Sequence, residues 1–198
     1  SAGIDGDFYE FTKLNEELFD LAVGDVMGKG IPAALIGAGV KQQLAKATPT
    51  AQTKPSEPAE IVDRIHGHLY DSLVEVESFV TFAYFRFDLA AGRISYVDAG
   101  HTKAIHACAN QTWLLEGENL PLGVLGDERY RQRTVEWQPG DVLLLYSDGL
   151  TEAMNAASEM FGIERLTALV TDLRQEQVPA SVLAQAVRRE IRNFLDGS

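Results

Sequence analysis

Cysteine and basic residues are both scarce in this sequence. Its 198 residues include a single cysteine, Cys108, so no disulfide within the chain is available to hold the fold together. This usage is typical of a reducing compartment, and we expect a cytoplasmic domain, although other domains of a longer protein would still allow membrane anchoring. Lysine and arginine total 17 against 29 acidic residues, a formal net charge of −12. Affinity for nucleic-acid backbones depends on clustered cations, so this balance argues against a nucleic-acid binder.

Long apolar runs are absent as well. No stretch approaches the roughly 20 apolar residues that span a bilayer, and no signal peptide is recognisable, so we expect no membrane contact by this domain. Hydrophobic residues nevertheless make up 45% of the chain, enough to build a core. The length fits a single domain over residues 1–198. The sequence begins at "SAGIDGDFYEF", which resembles the interior of a longer protein.

The order of strand and helix patterns predicts the fold class. Helices are predicted over 31–46 and 57–77, on either side of the Pro- and Thr-rich segment 47–58. Strand patterns lie before and after them, including the alternating "FVTFAYFRFDL". The continuous apolar run in "GDVLLLYSDGL" is typical of a strand buried on both faces, and two helices follow it. This order favours an α+β fold in which helices flank a central antiparallel β-sandwich on both sides.

Three acidic turns share one design. Asp7 in "GDFYE", Asp25 in "VGDVMG" and Asp148 in "YSDGL" each stand beside a glycine at an end of a strand-like segment. Aspartate is a hard oxygen ligand, and glycine lets the backbone turn so that a carbonyl or water also approaches a metal. If these carboxylates converge, they repel by about 4 kcal/mol per pair at about 4 Å, a cost that divalent cations remove. Any one Asp-Gly pair, taken alone, favours an ordinary turn.

Six motifs together give a more specific signal. They are "GDFYEF", "VGDVMGKGIPAAL", "FVTFAYFRFD", "ISYVDAGH", "LPLGV" and "GDVLLLYSDGLTEAMN". Their order and spacing, from about Gly6 to Phe161, resemble PPM-type (PP2C-like) metal-dependent Ser/Thr protein phosphatases, specifically the bacterial SpoIIE/RsbU branch. The resemblance implies a β-sandwich with two Mn²⁺ or Mg²⁺ ions at one edge. It also implies that a metal-activated water attacks a phosphoserine or phosphothreonine.

The resemblance assigns roles to four residues. It implies that Asp7, Asp25 and Asp148 are the catalytic carboxylates and metal ligands, and that Asp25 bridges both ions. The carbonyl of Val26 is implied as a further oxygen ligand. Because water is the nucleophile, no phosphoenzyme is implied, and Ser147 is expected to be a turn residue or to support the site.

Two departures from the family pattern bear on the site. Asp5 stands where members usually carry a small residue; it is either a solvated turn residue, which we favour, or a group that holds metal-bound water. The family usually ends in a "DDxT"-like strand that supplies another ligand, whereas this sequence ends in "FLDGS". Asp196 lacks that context, so we do not assign it as a ligand. We expect either an excised C-terminal output domain without its last strand or an incomplete site with weak activity.

The resemblance also implies partners. Members of this branch dephosphorylate a serine on a STAS-domain anti-sigma-factor antagonist, and they act as the output domain behind an upstream sensor domain. The helices at 31–46 and 57–77 are implied to form a switch element beside the metals. A homodimer is compatible with such a domain, although no residue requires one. The rival hypothesis is a catalytically weak module that binds a phosphorylated partner; the missing last aspartate favours it, whereas the three aspartates present favour the enzyme.

The histidines are assigned more ordinary roles. His101 in "DAGH" is expected to support its loop rather than to act as an acid or a ligand. His66 and His68 lie on the predicted helix 57–77 and are expected to be partly exposed. Lys29 in "MGKG" is not part of a P-loop, because the pattern GxxxxGK[ST] is absent.

Overall fold

The computed structural model describes residues 6–47, 55–109 and 111–197. Asp5 and the part of the predicted linker over 48–54 lie outside the described residues. The elements along the described chain are β1 (Asp7–Lys13), β2 (Leu18–Val26), α1 (Ile31–Ala47), α2 (Pro58–Glu75), β3 (Val80–Asp88), β4 (Arg93–Ala99), β5 (Ala104–Ala107), β6 (Thr112–Leu115), β7 (Arg133–Glu136), β8 (Val142–Leu144), α3 (Asp148–Thr151), α4 (Ile163–Gln175) and α5 (Ala180–Asp196). They divide between two compact units, 1–101 with 117–137 and 102–116 with 138–198.

The first unit is built on an antiparallel sheet with the strand order β1-β2-β3-β4-β7 and on helices α1 and α2. Side chains of a strand alternate between the two faces of its sheet. Along β2 the alternate residues Asp20, Ala22, Gly24 and Val26 are buried. Ala22 and Val26 belong to the core cluster that also contains Val40 of α1 and is completed by α2. The sheet therefore buries one face of β2 beneath the two helices.

Helix α2 matches its predicted span closely, with one error in the predicted exposure. Ile61, Ile65 and Leu73 are fully buried, as their four-residue spacing predicts. The prediction that His66 is partly exposed is wrong, because only 3% of the residue is accessible. Residues beyond the helix cover it: the His66 ring packs edge-on against Tyr130, and its Nδ1 accepts a 3.4 Å hydrogen bond from the main-chain amide of Gly123.

The second unit contains a short antiparallel sheet, β6-β5-β8, with helices α3, α4 and α5. Ile105 of β5 packs with apolar residues of α4 and α5, such as Leu166 and Leu183. The prediction of a long, doubly buried strand at "GDVLLLYSDGL" is wrong, since β8 covers only Val142–Leu144 and these residues are half-buried. The chain leaves the sheet where the carbonyl of Tyr146 accepts a hydrogen bond from the Thr102 hydroxyl. Among the described helices, none combines the length and apolar character needed to cross a membrane.

A buried ion pair joins β2 to β3 within the first unit. Asp20 and Arg86 are directly opposite in the register, and Arg86 donates 2.7 Å hydrogen bonds from Nε and Nη2 to the two carboxylate oxygens. Tyr84 donates its hydroxyl to the same carboxylate, and Arg86 Nη1 donates to the carbonyl of Ser56. Burial and the charge of Asp20 raise the pKa of Tyr84, so its hydroxyl stays protonated and keeps donating.

We predict that Arg86→Met lowers the free energy of unfolding by about 3–5 kcal/mol, because it leaves the buried Asp20 carboxylate without its cation. The double variant Asp20→Leu/Arg86→Met should lose less than the sum of the single changes, since neither charge is then left alone. Urea unfolding of the three variants measures both effects. Lys13→Met, which breaks the exposed pair with Glu16, is the control and should change stability by less than about 1 kcal/mol. A single-variant loss as small as that of the control would contradict a structural role for the buried pair.

Candidate metal centre

Two of the predicted ligands are brought together by the pairing of β1 with β2. Asp7 and Asp25 are directly opposite in the antiparallel register, where β1 begins and β2 is about to end. Opposite residues in an antiparallel pair point to the same face, with Cβ atoms about 4.5–5.5 Å apart. Asp7 is exposed and Asp25 is half-buried. The fold thus presents two carboxylates side by side at the end of the sheet, on the face opposite to Val26.

The glycine before Asp7 leaves space in front of two oxygens. A Cβ built on Gly6 would lie 2.5 Å from the carbonyl oxygen of Val26 and 2.6 Å from Oδ1 of Asp25. These distances are shorter than real Cβ contacts, so only glycine fits without displacing one of the oxygens. The carbonyl of Gly6 accepts a 3.3 Å hydrogen bond from the amide of Val26, which holds the two segments together. The Asp25 carboxylate and the Val26 carbonyl therefore both lie close against the main chain of Gly6.

The chain beyond Val26 is fastened to the segment that follows α2. Met27 donates its amide to the carbonyl of Phe79 at 2.9 Å, and the Ser78 hydroxyl donates to the Met27 carbonyl at 3.2 Å. Gly28 and Gly30 then take positive φ angles, 104° and 86°, which other residues rarely adopt. These two turns carry the chain directly into α1. The Asp25–Val26 segment is thereby held between β1 and the end of α2.

Asp148 belongs to the second unit. It is the first residue of the short helix α3, and its side chain is exposed. Its carbonyl accepts hydrogen bonds from the Glu152 amide at 2.8 Å and the Thr151 hydroxyl at 3.2 Å. Ser147 stands at the N-cap without a side-chain capping bond, in keeping with its prediction as a turn residue. Burial raises the pKa of the neighbouring Tyr146 to about 12, so that phenol is neutral near pH 7.

The oxygen donors of the first unit fit a hard divalent cation. Asp7, Asp25 and the Val26 carbonyl offer only oxygen, which Mg²⁺ and Mn²⁺ prefer, and Mg²⁺ usually keeps several waters beside one or two carboxylates. Across residues 6–47, 55–109 and 111–197, however, no three or more His, Cys, Asp or Glu side chains are grouped closely enough to hold a metal ion. Asp196, which sequence reasoning left unassigned, is the exposed last residue of α5. The roles of Asp7, Asp25, Val26 and Asp148 as ligands stay a prediction.

Sequence reasoning missed two residues beside Asp25. Gly6 was noticed only as the start of a motif, and its closeness to the Val26 carbonyl depends on the pairing of two strands. Thr81 is directly opposite Asp25 on β3. Its place beside Asp25 depends on the register of β2 and β3, and the nearly continuous burial of β3 gives no alternation from which that register could be predicted.

Comparison of the sequence with known families and proteins agrees with the motifs. The family model described as Stage II sporulation protein E (SpoIIE) matches residues 15–198. The phosphoserine phosphatase RsbU of Bacillus subtilis (strain 168) is 32% identical over 149 residues, which cover 74% of this chain and 43% of RsbU. The chain thus spans less than half the length of this relative.

Comparison with solved structures confirms the predicted PP2C-like fold. The SiaA-PP2C domain of Pseudomonas aeruginosa superposes with a TM-score of 0.81 at 21% identity, over 97% of this chain and 75% of that one. RsbX, solved in complex with magnesium, superposes with a TM-score of 0.68 at 13% identity, over 96% of this chain and 80% of that one. At 21% and 13% sequence identity, these superpositions show that the chain shares the fold of these structures, with its antiparallel sheets and helices.

We predict that Gly6→Ala weakens Mn²⁺ binding roughly tenfold or more, because the added methyl group displaces the Asp25 carboxylate or the Val26 carbonyl. Isothermal titration calorimetry with MnCl₂ measures the affinity. Gly67→Ala in α2 is the matched control, since a Cβ there meets nothing within 4 Å. If the two alanine variants bind Mn²⁺ equally well, the space in front of Gly6 is not part of a cation site.

Proposed function

Because this chain belongs to the SpoIIE family of PP2C-like phosphatase domains, we propose that it is a metal-dependent protein serine phosphatase. Its proposed substrate is phosphoserine on a STAS-type anti-sigma-factor antagonist. One observation carries the proposal: the Asp7–Asp25 pair lies at the end of the sheet, with the Val26 carbonyl and the space left by Gly6 beside it. An all-oxygen arrangement of this kind suits Mn²⁺ or Mg²⁺.

Each proposed ligand has a distinct task. Asp25 extends its carboxylate toward the space in front of Gly6, where the Val26 carbonyl adds a second oxygen from the main chain. Asp7 adds a second negative charge from the opposite strand, and Asp148 is kept as a proposed ligand on the ground of its motif alone. Two divalent cations, when bound, lower the pKa of a water and neutralise charge on the phosphoryl group. The carboxylates would hold such cations, and glycine at position 6 keeps a side chain from displacing the Asp25 and Val26 oxygens.

The charge of the chain supports a metal-dependent phosphatase over a metal-free one. At a formal net charge of −12, the protein disfavours the approach of a phosphorylated substrate, more strongly at low ionic strength. Bound divalent cations invert the local charge and allow an acidic site to hold phosphate. Bound Mn²⁺ or Mg²⁺ would therefore offset two repulsions, the one between the Asp7 and Asp25 carboxylates and the one between the acidic protein and its phosphorylated substrate.

The proposed partners follow from the family. RsbU is named a phosphoserine phosphatase, and the part matched by this chain is 43% of its length. We propose that residues 1–198 act as one catalytic output domain beside an upstream sensor domain, with a phosphorylated STAS protein as the substrate and with homodimers as an option for regulation. The Met27–Phe79 hydrogen bond supports a further part of this proposal, in which α1 and α2 act as a switch element. It joins the residue that follows Val26 to Phe79, which lies in the short segment between α2 and β3.

A second candidate function is a catalytically weak module that binds a phosphorylated partner. One observation favours it, namely that the described ranges contain no group of three or more metal-ligating side chains. In such a module the Asp7–Asp25 pair would hold a single cation and serve recognition rather than hydrolysis. The two functions differ in turnover, so the same assay separates them.

We predict Mn²⁺-stimulated hydrolysis of p-nitrophenyl phosphate and faster release of phosphate from a serine-phosphorylated STAS protein than from an unrelated phosphoserine peptide. Asp25→Asn and Asp148→Asn should each lower turnover by roughly 1,000-fold, since a metal ion contributes several kcal/mol of transition-state stabilisation. Phosphate release at saturating MnCl₂ measures the effect.

The controls are exposed aspartates on helices of the same units, Asp71→Asn on α2 and Asp172→Asn on α4, which should keep wild-type turnover. Inactivity of the wild type toward both substrates, combined with binding of the phosphorylated STAS protein, would favour the binding module. Equal rates on the STAS protein and the unrelated peptide would contradict the proposed substrate and leave the phosphatase activity in place.

A further inference from the structure

The row of opposite residues that contains Asp7 and Asp25 continues onto the third strand. Thr81 of β3 is directly opposite Asp25, as Asp7 is on the other side. Opposite residues of neighbouring antiparallel strands share a face, so Asp7, Asp25 and Thr81 form one line across the end of the sheet. Thr81 is half-buried, and its hydroxyl is the nearest neutral polar group on that line.

The Thr81 hydroxyl makes two polar contacts. Its Oγ1 lies 3.4 Å from the carbonyl oxygen of Asp25 and 3.0 Å from Nδ1 of His101. A threonine hydroxyl has one proton to donate, and a carbonyl can only accept. Both contacts are satisfied when His101 donates from Nδ1 to Oγ1 and Thr81 donates to Asp25. The geometry thus connects the imidazole, through one hydroxyl, to the main chain of the aspartate.

The His101 side chain is itself held by a tightly anchored turn. The main-chain amide of His101 donates to Asp98 Oδ1 at 3.1 Å, while Asp98 Oδ2 accepts from the Gly117 amide at 3.0 Å. Gly100 has a φ of 74°, and a Cβ there would lie 2.8 Å from the ring of Pro121. Two main-chain hydrogen bonds to Asp98 thus fix the turn from which the imidazole contacts Thr81.

We propose that Thr81 and His101 are positioning residues that set the orientation of Asp25 for cation binding. This inference rests on the proposed function, because it concerns the same site. Asp25 is paired with Asp7 in one ladder and with Thr81 in the other, and it lies one residue before the end of β2. The Gly6 carbonyl holds one side through the amide of Val26, and the Thr81–His101 pair holds the carbonyl of Asp25 itself. A carboxylate that ligates a metal depends on such outer contacts for its orientation.

The test uses Mn²⁺ affinity, which is measured without substrate. Thr81→Val removes the hydroxyl at nearly constant volume and should weaken Mn²⁺ binding by about 10- to 100-fold, whereas Thr81→Ser keeps the hydroxyl and should stay close to wild type. His101→Ala should weaken binding in the same direction. His101→Asn should recover part of the loss, because its side-chain amide can either donate to the Thr81 hydroxyl or accept from it, which suits either tautomer of the histidine. Calorimetric titration with MnCl₂ and turnover of p-nitrophenyl phosphate against Mn²⁺ concentration are the two measurements.

Two matched controls separate positioning from general stability. Thr134→Val on β7 removes a threonine hydroxyl that hydrogen-bonds Ser95 at 3.0 Å on the same sheet, and His68→Asn changes an exposed histidine on α2. Both controls should keep wild-type Mn²⁺ affinity. Thermal unfolding of all variants without metal shows whether a loss of affinity follows from a loss of fold.

The outcomes are distinct. Wild-type Mn²⁺ affinity in Thr81→Val, or an affinity in His101→Asn as weak as in His101→Ala, overturns the positioning role. If Thr81→Val and Thr134→Val differ only in melting temperature, the role is overturned as well. A wild-type protein that binds Mn²⁺ but hydrolyses neither substrate would refute the proposed function alone, since the affinities of the Thr81 and His101 variants still decide this inference. Conversely, strong loss of turnover in Asp25→Asn with an unaffected Thr81→Val would refute only the positioning role.

Discussion

The register between β1, β2 and β3 is the constraint on which the rest of the first unit depends. Side chains alternate between sheet faces, so a slip of one residue would move Asp25 to the face covered by α1 and α2 and Val26 to the opposite face. Two contacts near the other end of β2 fix this register. Asp20 is paired with Arg86 through a bidentate ion pair, and Phe19 stacks on Phe87 with ring centroids 4.5 Å apart. These apolar and ionic partners lie several residues before Asp25, and they determine which face it occupies.

A buried ion pair is a costly way to fix a register, and the first unit offsets that cost with hydrogen bonds. Removing two charges from water is unfavourable unless their remaining donors and acceptors are satisfied. Here Tyr84 adds a donor to Asp20, and Arg86 adds a contact to the carbonyl of Ser56, the residue two before α2. The cluster of Asp20, Tyr84 and Arg86 therefore aligns β2 with β3 and anchors the start of α2. The segment after the other end of α2 makes the hydrogen bond to Met27. Sheet register and helix placement are thus linked through one guanidinium group.

A structural feature can be predicted from the sequence when the contacts that determine it lie close together along the chain. The apolar spacing of Ile61, Ile65 and Leu73 is a property of one helix, and it predicts both the helix and its buried face correctly. His66 is different, because its burial results from residues about sixty positions later in the chain. The run "VLLLY" has the composition of a strand, yet β8 ends at Leu144, since pairing with β5 and the bond from Thr102 decide its length. The sequence alone indicates the strand ends that carry acidic turns. That Thr81 is the neighbour of Asp25 can be known only from the register of β2 and β3.

The absence of a side chain at position 6 has a consequence for sequence drift in domains of this kind. Even a methyl group there reaches the oxygens of Asp25 and Val26, although the fold around it rests on contacts elsewhere, such as the Asp20–Arg86 pair. If the proposed cation site is correct, selection for catalysis would keep this position a glycine. A related domain that retains all three aspartates but lacks this glycine would then be expected to have lost its cation site.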